Sequence, residues 1–312
     1  MRMRNMGNVA YPNDPNWPSA ATLLASRPVD GKRNVGLLGV STFATSVSPR
    51  SSASTPKAVR AALERYSTWS FTDAIDLAEH VALVDYGDVD DPDGAGGDER
   101  VANALARWDP EVALRLILGG DNAATWHVVH ALAGGDYSNF GLVTLDAHLD
   151  MRDGVSNGSP VRQLLDDGFD GHHVVQVGLA DFSNSAVYAQ RAHDAGVTVI
   201  SRDVLHQEPV EEAARRAVAL AGSGGRRVYV DIDMDVADRV AVPGCPAAAP
   251  GGLSADEMRR FVREVAVQHS VCAIDFTEID VERDTEDERT VRLAALLLLE
   301  ALAGARRRVP WP

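Results

Sequence analysis

The chain has 312 residues, is 45% hydrophobic and 24% charged, and carries a net charge of −15. That composition is ordinary for a globular protein and long enough for one large α/β domain or two small ones. The acidic balance argues against nucleic acid and anionic membrane as partners, because both select basic surfaces.

Residues 1–30, rich in Pro, Asn and Ser, are expected to form an N-terminal extension outside the core. They lack the continuous apolar stretch of a signal peptide. Residues 31–312 are read as a single domain. Strand-like runs follow at Val35–Val40, Val81–Asp85, Ala113–Leu118, Phe140–Asp146, His173–Gly178, Val197–Ile200, Arg227–Asp233 and Val271–Phe276. Helical patterns lie between most of them, at Pro56–Arg65, Ala123–Leu132, Ser185–Ala195, Val210–Ala221 and Ser254–Gln268. The last opens with Ser254 three residues before Glu257, the spacing of a capping box. The acidic, Gly-rich stretch 90–100 reads as a solvated loop. Leu293–Leu302 is too short to span a bilayer and is interrupted by Glu300, so it reads as a packed helix.

Alternating strands and helices, with near-continuous apolar strands, predict an α/β fold: a parallel sheet of eight strands covered by helices on both faces. Eight strands also close into a barrel, and the pattern prefers the open sheet without excluding the barrel. The two cysteines, Cys245 and Cys272, have no CxxC spacing. A disulfide framework and a zinc–thiolate site are therefore not expected, and a cytoplasmic location is.

Chemistry concentrates where apolar runs end. Asp146, His148 and Asp150 are spaced by two, as are Asp231, Asp233 and Asp235, so each set can share one side of an extended segment. Carboxylates gathered at the ends of buried strands repel one another and lose hydration. A divalent cation relieves both penalties. Oxygen and imidazole donors without a thiolate suit Mn²⁺ best, with Zn²⁺, Fe²⁺ and Co²⁺ as alternatives. Alone, each segment also reads as a solvated acidic turn, and His127 and His130 read as surface or packing histidines.

Taken in order, Gly119-Gly120-Asp121-Asn122, Asp146-Ala147-His148-Leu149-Asp150, Asp233-Met234-Asp235-Val236-Ala237-Asp238 and Phe276-Thr277-Glu278-Ile279 resemble the motifs of the arginase/agmatinase/formimidoylglutamase (ureohydrolase) superfamily. The resemblance covers roughly residues 31–306. It implies a three-layer αβα domain with an eight-stranded parallel sheet, usually assembled as trimers or hexamers. It also implies a Mn²⁺-dependent hydrolase that cleaves a C–N bond at an amidine carbon. Residue by residue, Asp146 and Asp233 match ligands shared by two Mn²⁺ ions, His148 and Asp235 match ligands of one ion, and Asp150 matches a ligand of the other. Asp150 would also shuttle a proton, and Glu278 would pair with the substrate's amidinium.

Two positions depart from the pattern. Asn122 stands where the family usually has a histidine ligand, so the ion nearest to it is expected to be weakly held or absent. Asn157 stands where relatives such as arginase have a proton-shuttling histidine, and it cannot titrate. Asn157 and Ser159 are expected to line the substrate site. Arg152, two residues after Asp150, can form a bidentate pair with a carboxylate. That favours a small acidic amidine, N-formimidoyl-L-glutamate, hydrolysed to L-glutamate and formamide in histidine degradation. Arg152 could instead pair with Asp153, and Arg162 and Arg283 are weaker candidates for a second substrate carboxylate. Two other functions stay open: a guanidino hydrolase releasing urea, and an inactive relative with a structural or regulatory role.

Overall fold

The computed structural model describes residues 14–48 and 54–308. Its strands are β1 (Leu24–Ala25), β2 (Arg33–Val40), β3 (Trp69–Ser70), β4 (Ile75–Asp76), β5 (Val81–Asp88), β6 (Leu114–Gly119), β7 (Phe140–Leu145), β8 (Val174–Leu179), β9 (Thr198–Ser201), β10 (Arg227–Asp233) and β11 (Val271–Thr277). The α-helices are α1 (Thr55–Ala62), α2 (Gly97–Ala106), α3 (Ala123–Ala133), α4 (Pro160–Asp166), α5 (Ala186–Asp194), α6 (Arg202–Leu205), α7 (Val210–Ala221), α8 (Ala255–Val267) and α9 (Arg289–Arg306).

Nine strands form one sheet in the order β1-β5-β2-β6-β11-β10-β7-β8-β9, and every pairing in it is parallel. The sheet is open, with β1 and β9 at its edges, so the barrel alternative fails. The central strands are buried along almost their whole length, because helices cover both faces. One apolar layer packs α1, α7, α8 and α9 on one face, and a second packs α2, α3 and α4 on the other.

The expected strand count was eight, and β1 is the addition. It comes from the segment expected to be an extension: Ala20 and Leu23 are buried in the core, and Leu24–Ala25 pairs with β5. Two paired residues are too short to leave an alternating pattern. The 90–100 stretch is likewise only partly a loop, since α2 starts at Gly97. The capping box forms as spaced: Ser254 Oγ accepts from Glu257 N at 3.2 Å, and Glu257 Oε2 accepts from Ser254 N at 2.8 Å. The late apolar segment lies within α9, where Glu300 is buried against Arg259 and Arg263. Among the described residues no helix is long and apolar enough to cross a membrane.

Parallel strands end on the same side, so neighbours β6, β11, β10 and β7 deliver their carboxyl ends together. Asp231 is level with Asp275, Asp233 with Thr277, and Ile232 with Leu145. This register brings Asn122, Asp146, Asp233 and Glu278 to one rim, where open α/β sheets bind ligands.

Candidate metal centre

Asp146 leaves the end of β7 fully buried. Its Oδ1 accepts from His148 N at 2.7 Å, while Oδ2 is buried with no hydrogen-bond partner. His148 Nδ1 lies 2.8 Å from Asp235 Oδ2 and 3.4 Å from Asp146 Oδ1. Donor atoms of Asp146, His148 and Asp235 all fall within 4.8 Å of one another. Asp233, 3% exposed, accepts from Asp235 N at 2.8 Å, which fixes the turn that presents both carboxylates. His148, Asp150, Asp233, Asp235 and Glu278 line one cleft.

Burial and like charge dominate the electrostatics. Burial, then Asp235, pushes the Asp146 carboxyl up to about 7. Burial also raises Asp150 and Asp233 well above the carboxylate range, reinforced by Asp146 and Asp235. Burial opposes the charged form of His148, but the hydrogen bonds it donates to Asp146 and Asp235 override it and push the imidazole up to about 12. Asp235 is the exception: burial works against its charge, yet His148 holds it below the ordinary range. A protonated imidazole and shared protons here neutralise charge that a cation would neutralise better. The orphaned Asp146 Oδ2, the imidazole and the clustered carboxylates together suit a divalent oxygen/nitrogen site.

Asp150 and Glu278 both adopt left-handed backbone, with φ of +52° and +61°. Non-glycine residues held there cost energy and cluster at functional sites. Glu278, 2% exposed, accepts at Oε1 from Asn157 Nδ2 at 2.8 Å and from Asn122 N at 3.1 Å. Asn157 is thereby an orienting residue for Glu278, and its Oδ1 in turn accepts from Val47 N at 2.9 Å. Asn122 Nδ2 donates to Asp150 Oδ2 at 2.6 Å, while its Oδ1 lies 2.9 Å from Thr125 Oγ1 and 3.1 Å from Thr277 Oγ1. Turning the amide over would set Oδ1 against a carboxylate oxygen, so the network requires this orientation.

Other expected residues separate clearly. Arg152 lines the cleft with no side-chain ion pair among the described residues, because Asp153 is taken by Arg191 at 2.9 Å. Arg162 is bound to Asp166 and to the Arg152 and Gly154 carbonyls, and Arg283 pairs with Asp280 at 3.2 Å, so both are committed elsewhere. Ser159 is a correction. It is fully buried, and its hydroxyl closes the turn before α4 on Ser156 rather than facing the cleft. His127 contacts Asp98, and His130 contacts Tyr137 and stacks on Trp126, as packing histidines do.

The sequence reading missed two supports, Gln176 and Asn184. Gln176 Nε2 donates to Leu149 O at 2.9 Å, and Asn184 bonds Leu149 N at 2.8 Å and Ala147 O at 3.0 Å. They pin the backbone that carries His148 and Asp150. A glutamine inside an otherwise apolar buried strand was the available signal.

The sequence profile described as the arginase family matches residues 33–304. The chain is 32% identical over 293 residues to the formimidoylglutamase of Halalkalibacterium halodurans, covering 89% of each chain. It is 32% identical over 283 residues to that of Bacillus subtilis, covering 86% of each. The crystal structure of the Bacillus subtilis formimidoylglutamase superposes with a TM-score of 0.87 at 29% identity, over 99% of this chain and 98% of that one. A Trypanosoma cruzi formiminoglutamase crystallised with Mn²⁺ shares the fold, with a TM-score of 0.83 at 22% identity over 94% and 100% of the two chains.

Proposed function

The chain belongs to the arginase family, and from that membership we propose that it is a Mn²⁺-dependent formimidoylglutamase, hydrolysing N-formimidoyl-L-glutamate to L-glutamate and formamide. The observation that carries the choice of substrate is Arg152, a cation in the cleft left without an internal carboxylate. Relatives named formimidoylglutamase, matched over most of the chain, support the same choice. One catalytic domain in this reading takes in the β1 segment from Ala20 as well as the chain from residue 31 onward. A cytoplasmic setting and a trimeric or hexameric assembly belong to it as well.

Asp146, His148, Asp233 and Asp235 would hold one Mn²⁺, and Asp146, Asp150 and Asp233 a second, with Asn122 as its weakest partner. Bound there, the ions supply Lewis acidity that brings a water's pKa towards neutrality. The protein does the rest. Arg152 grips a substrate carboxylate through its planar fork. Glu278, held by Asn157 and Asn122, faces the amidinium and keeps its carbon in place. Asp150 accepts a proton from the attacking water at Oδ1, the oxygen not held by Asn122, and returns it to the leaving nitrogen.

The decisive assay incubates Mn²⁺-loaded protein with N-formimidoyl-L-glutamate, agmatine and guanidinobutyrate, following glutamate, formamide and urea. Formamide with glutamate is the expected outcome; urea from a guanidino compound would replace this function with a rival one.

Arg152→Gln should raise KM for the acidic substrate roughly 10- to 100-fold, the worth of a lost charge-assisted contact. It should leave kcat nearly unchanged. Gly158→Ala should do the same more mildly, because a Cβ there would lie 2.7 Å from Arg152 Cδ and displace that side chain. Equal loss in kcat for either variant would place Arg152 in the chemistry rather than in binding.

Metal uptake should release protons. Without a cation the cluster keeps protons on Asp146, Asp150, Asp233 and His148 that the metal must displace. Mn²⁺ affinity therefore rises with pH. Calorimetric titration in buffers of different ionisation enthalpy measures the proton count, and a count of zero would contradict this electrostatic account.

A further inference from the structure

The pole of the sheet opposite the metal centre carries a charge cluster of the other sign. In the run of neighbouring strands β2-β6-β11-β10, Arg33, Arg115 and Arg227 stand at the starts of β2, β6 and β10, and Cys272 at the start of β11. Arg308, just beyond α9, folds back into the same place and is 4% exposed. Its Nε donates to Ala266 O at 2.7 Å and its Nη1 to Ala113 O at 2.8 Å, while Nη2 is buried with no partner. Arg33 Nη2 donates to Arg308 O at 2.7 Å. Arg115 leaves its Nε unpartnered over the Trp108 ring, and Arg227 lies over Phe140 at 4.4 Å. Arg115 and Arg227 repel one another, as do Arg33 and Arg308.

None of these arginines makes an ion pair among the described residues, although most other arginines do, as in Arg60–Asp85 and Arg263–Glu300. The segments outside the described residues contain no Asp or Glu. Among the described residues, no acidic side chain lies within ion-pairing distance of Arg115, Arg227 or Arg308. A guanidinium buried without counter-charge is costly, and breaking up such charge pairing destabilises strongly. Planar guanidinium forks match oxyanions.

We propose that Arg308, Arg115, Arg227 and Arg33 form a binding site for a small tetrahedral oxyanion of the sulfate or phosphate type. The site is separate from the metal centre, so its occupancy bears on stability rather than on the reaction.

Thermal melts of the full chain should be titrated with sodium sulfate against sodium chloride at matched ionic strength. Native protein should show a saturable rise of about 2–4 °C above the linear salt effect. Arg115→Met/Arg227→Met should keep the linear part and lose the saturable one. Arg308→Met is the more direct change, but its buried contacts threaten folding, and the double variant avoids that. A purely linear response in native protein, or a saturable response surviving in the variant, would overturn the proposal. So would a change of assembly state in the variant by light scattering, which would assign the counter-charge to a second copy.

Discussion

Asp150→Asn is expected to lower kcat by about 10²- to 10⁴-fold at saturating Mn²⁺, the range for removing a positioned general acid–base. KM should move little, because Arg152 and Glu278 do the binding. The substitution is isosteric and the group is 5% exposed, so the fold has no reason to fail. Metal-free stability should in fact rise. Burial and the charges of Asp146, Asp235 and Glu278 raise the folded pKa of Asp150 well above its unfolded value. Such a group costs no stability below its unfolded pKa, and the cost grows as pH rises from there through the raised folded pKa, where it becomes complete. The amide removes the cost, so the gain in melting temperature should be present at pH 8 and shrink as pH falls through the folded pKa. Metal analysis of the same samples separates lost chemistry from lost metal. A variant with full metal content and kcat within tenfold of native would remove Asp150 from proton transfer.

The clustering of the candidate acidic ligands was legible because their spacing is local. Spacing by two drew attention to Asp146, His148 and Asp150, although the chain bends after β7 and Asp150 is left-handed, and an apolar run before each cluster says that a buried strand ends there. The meeting of the clusters follows from parallel pairing, which makes neighbouring strands end together. What stayed hidden depends on distant partners. Asn157 reads locally as a turn residue, yet its amide serves Glu278 across 121 positions of sequence. The freedom of Arg152 depends on Arg191 capturing Asp153, 38 positions away. The buried pairing of Tyr229 with Asp275 at 2.7 Å also has no local signature. Ser159 was misplaced because a serine before a helix suits a ligand contact and a turn equally well, and only burial separates them. The ninth strand was too short to show a period, and its edge position is decided by β5.

Asn122→His is expected to change how the protein fills with metal. In the native site the Asn122 amide already does part of a cation's work: Nδ2 donates to Asp150 Oδ2 at 2.6 Å, and the oxygen faces the Thr125 and Thr277 hydroxyls. To ligate an ion, the amide must turn and give up these bonds, and it then offers only a neutral oxygen. An ion held by His148 and Asp235 would have protons to displace but no amide to turn. Mn²⁺ should therefore bind native protein in two steps separated by at least about tenfold in affinity, the range by which ligand surroundings tune metal sites. An imidazole at position 122 offers a nitrogen ligand stronger than the amide oxygen, so the second step should tighten towards the first. Electron paramagnetic resonance reads this without reference to activity. One equivalent of Mn²⁺ should give an isolated-ion spectrum in native protein, and coupled-pair signals should appear at lower loading in the variant. Asn122 is 1% exposed, so the larger ring must displace the threonine hydroxyls and should lower metal-free stability, with Mn²⁺ restoring it. Two equally tight sites in native protein would show that the amide turns at no cost, and the hydrogen bonds around Asn122 would then have no bearing on metal occupancy.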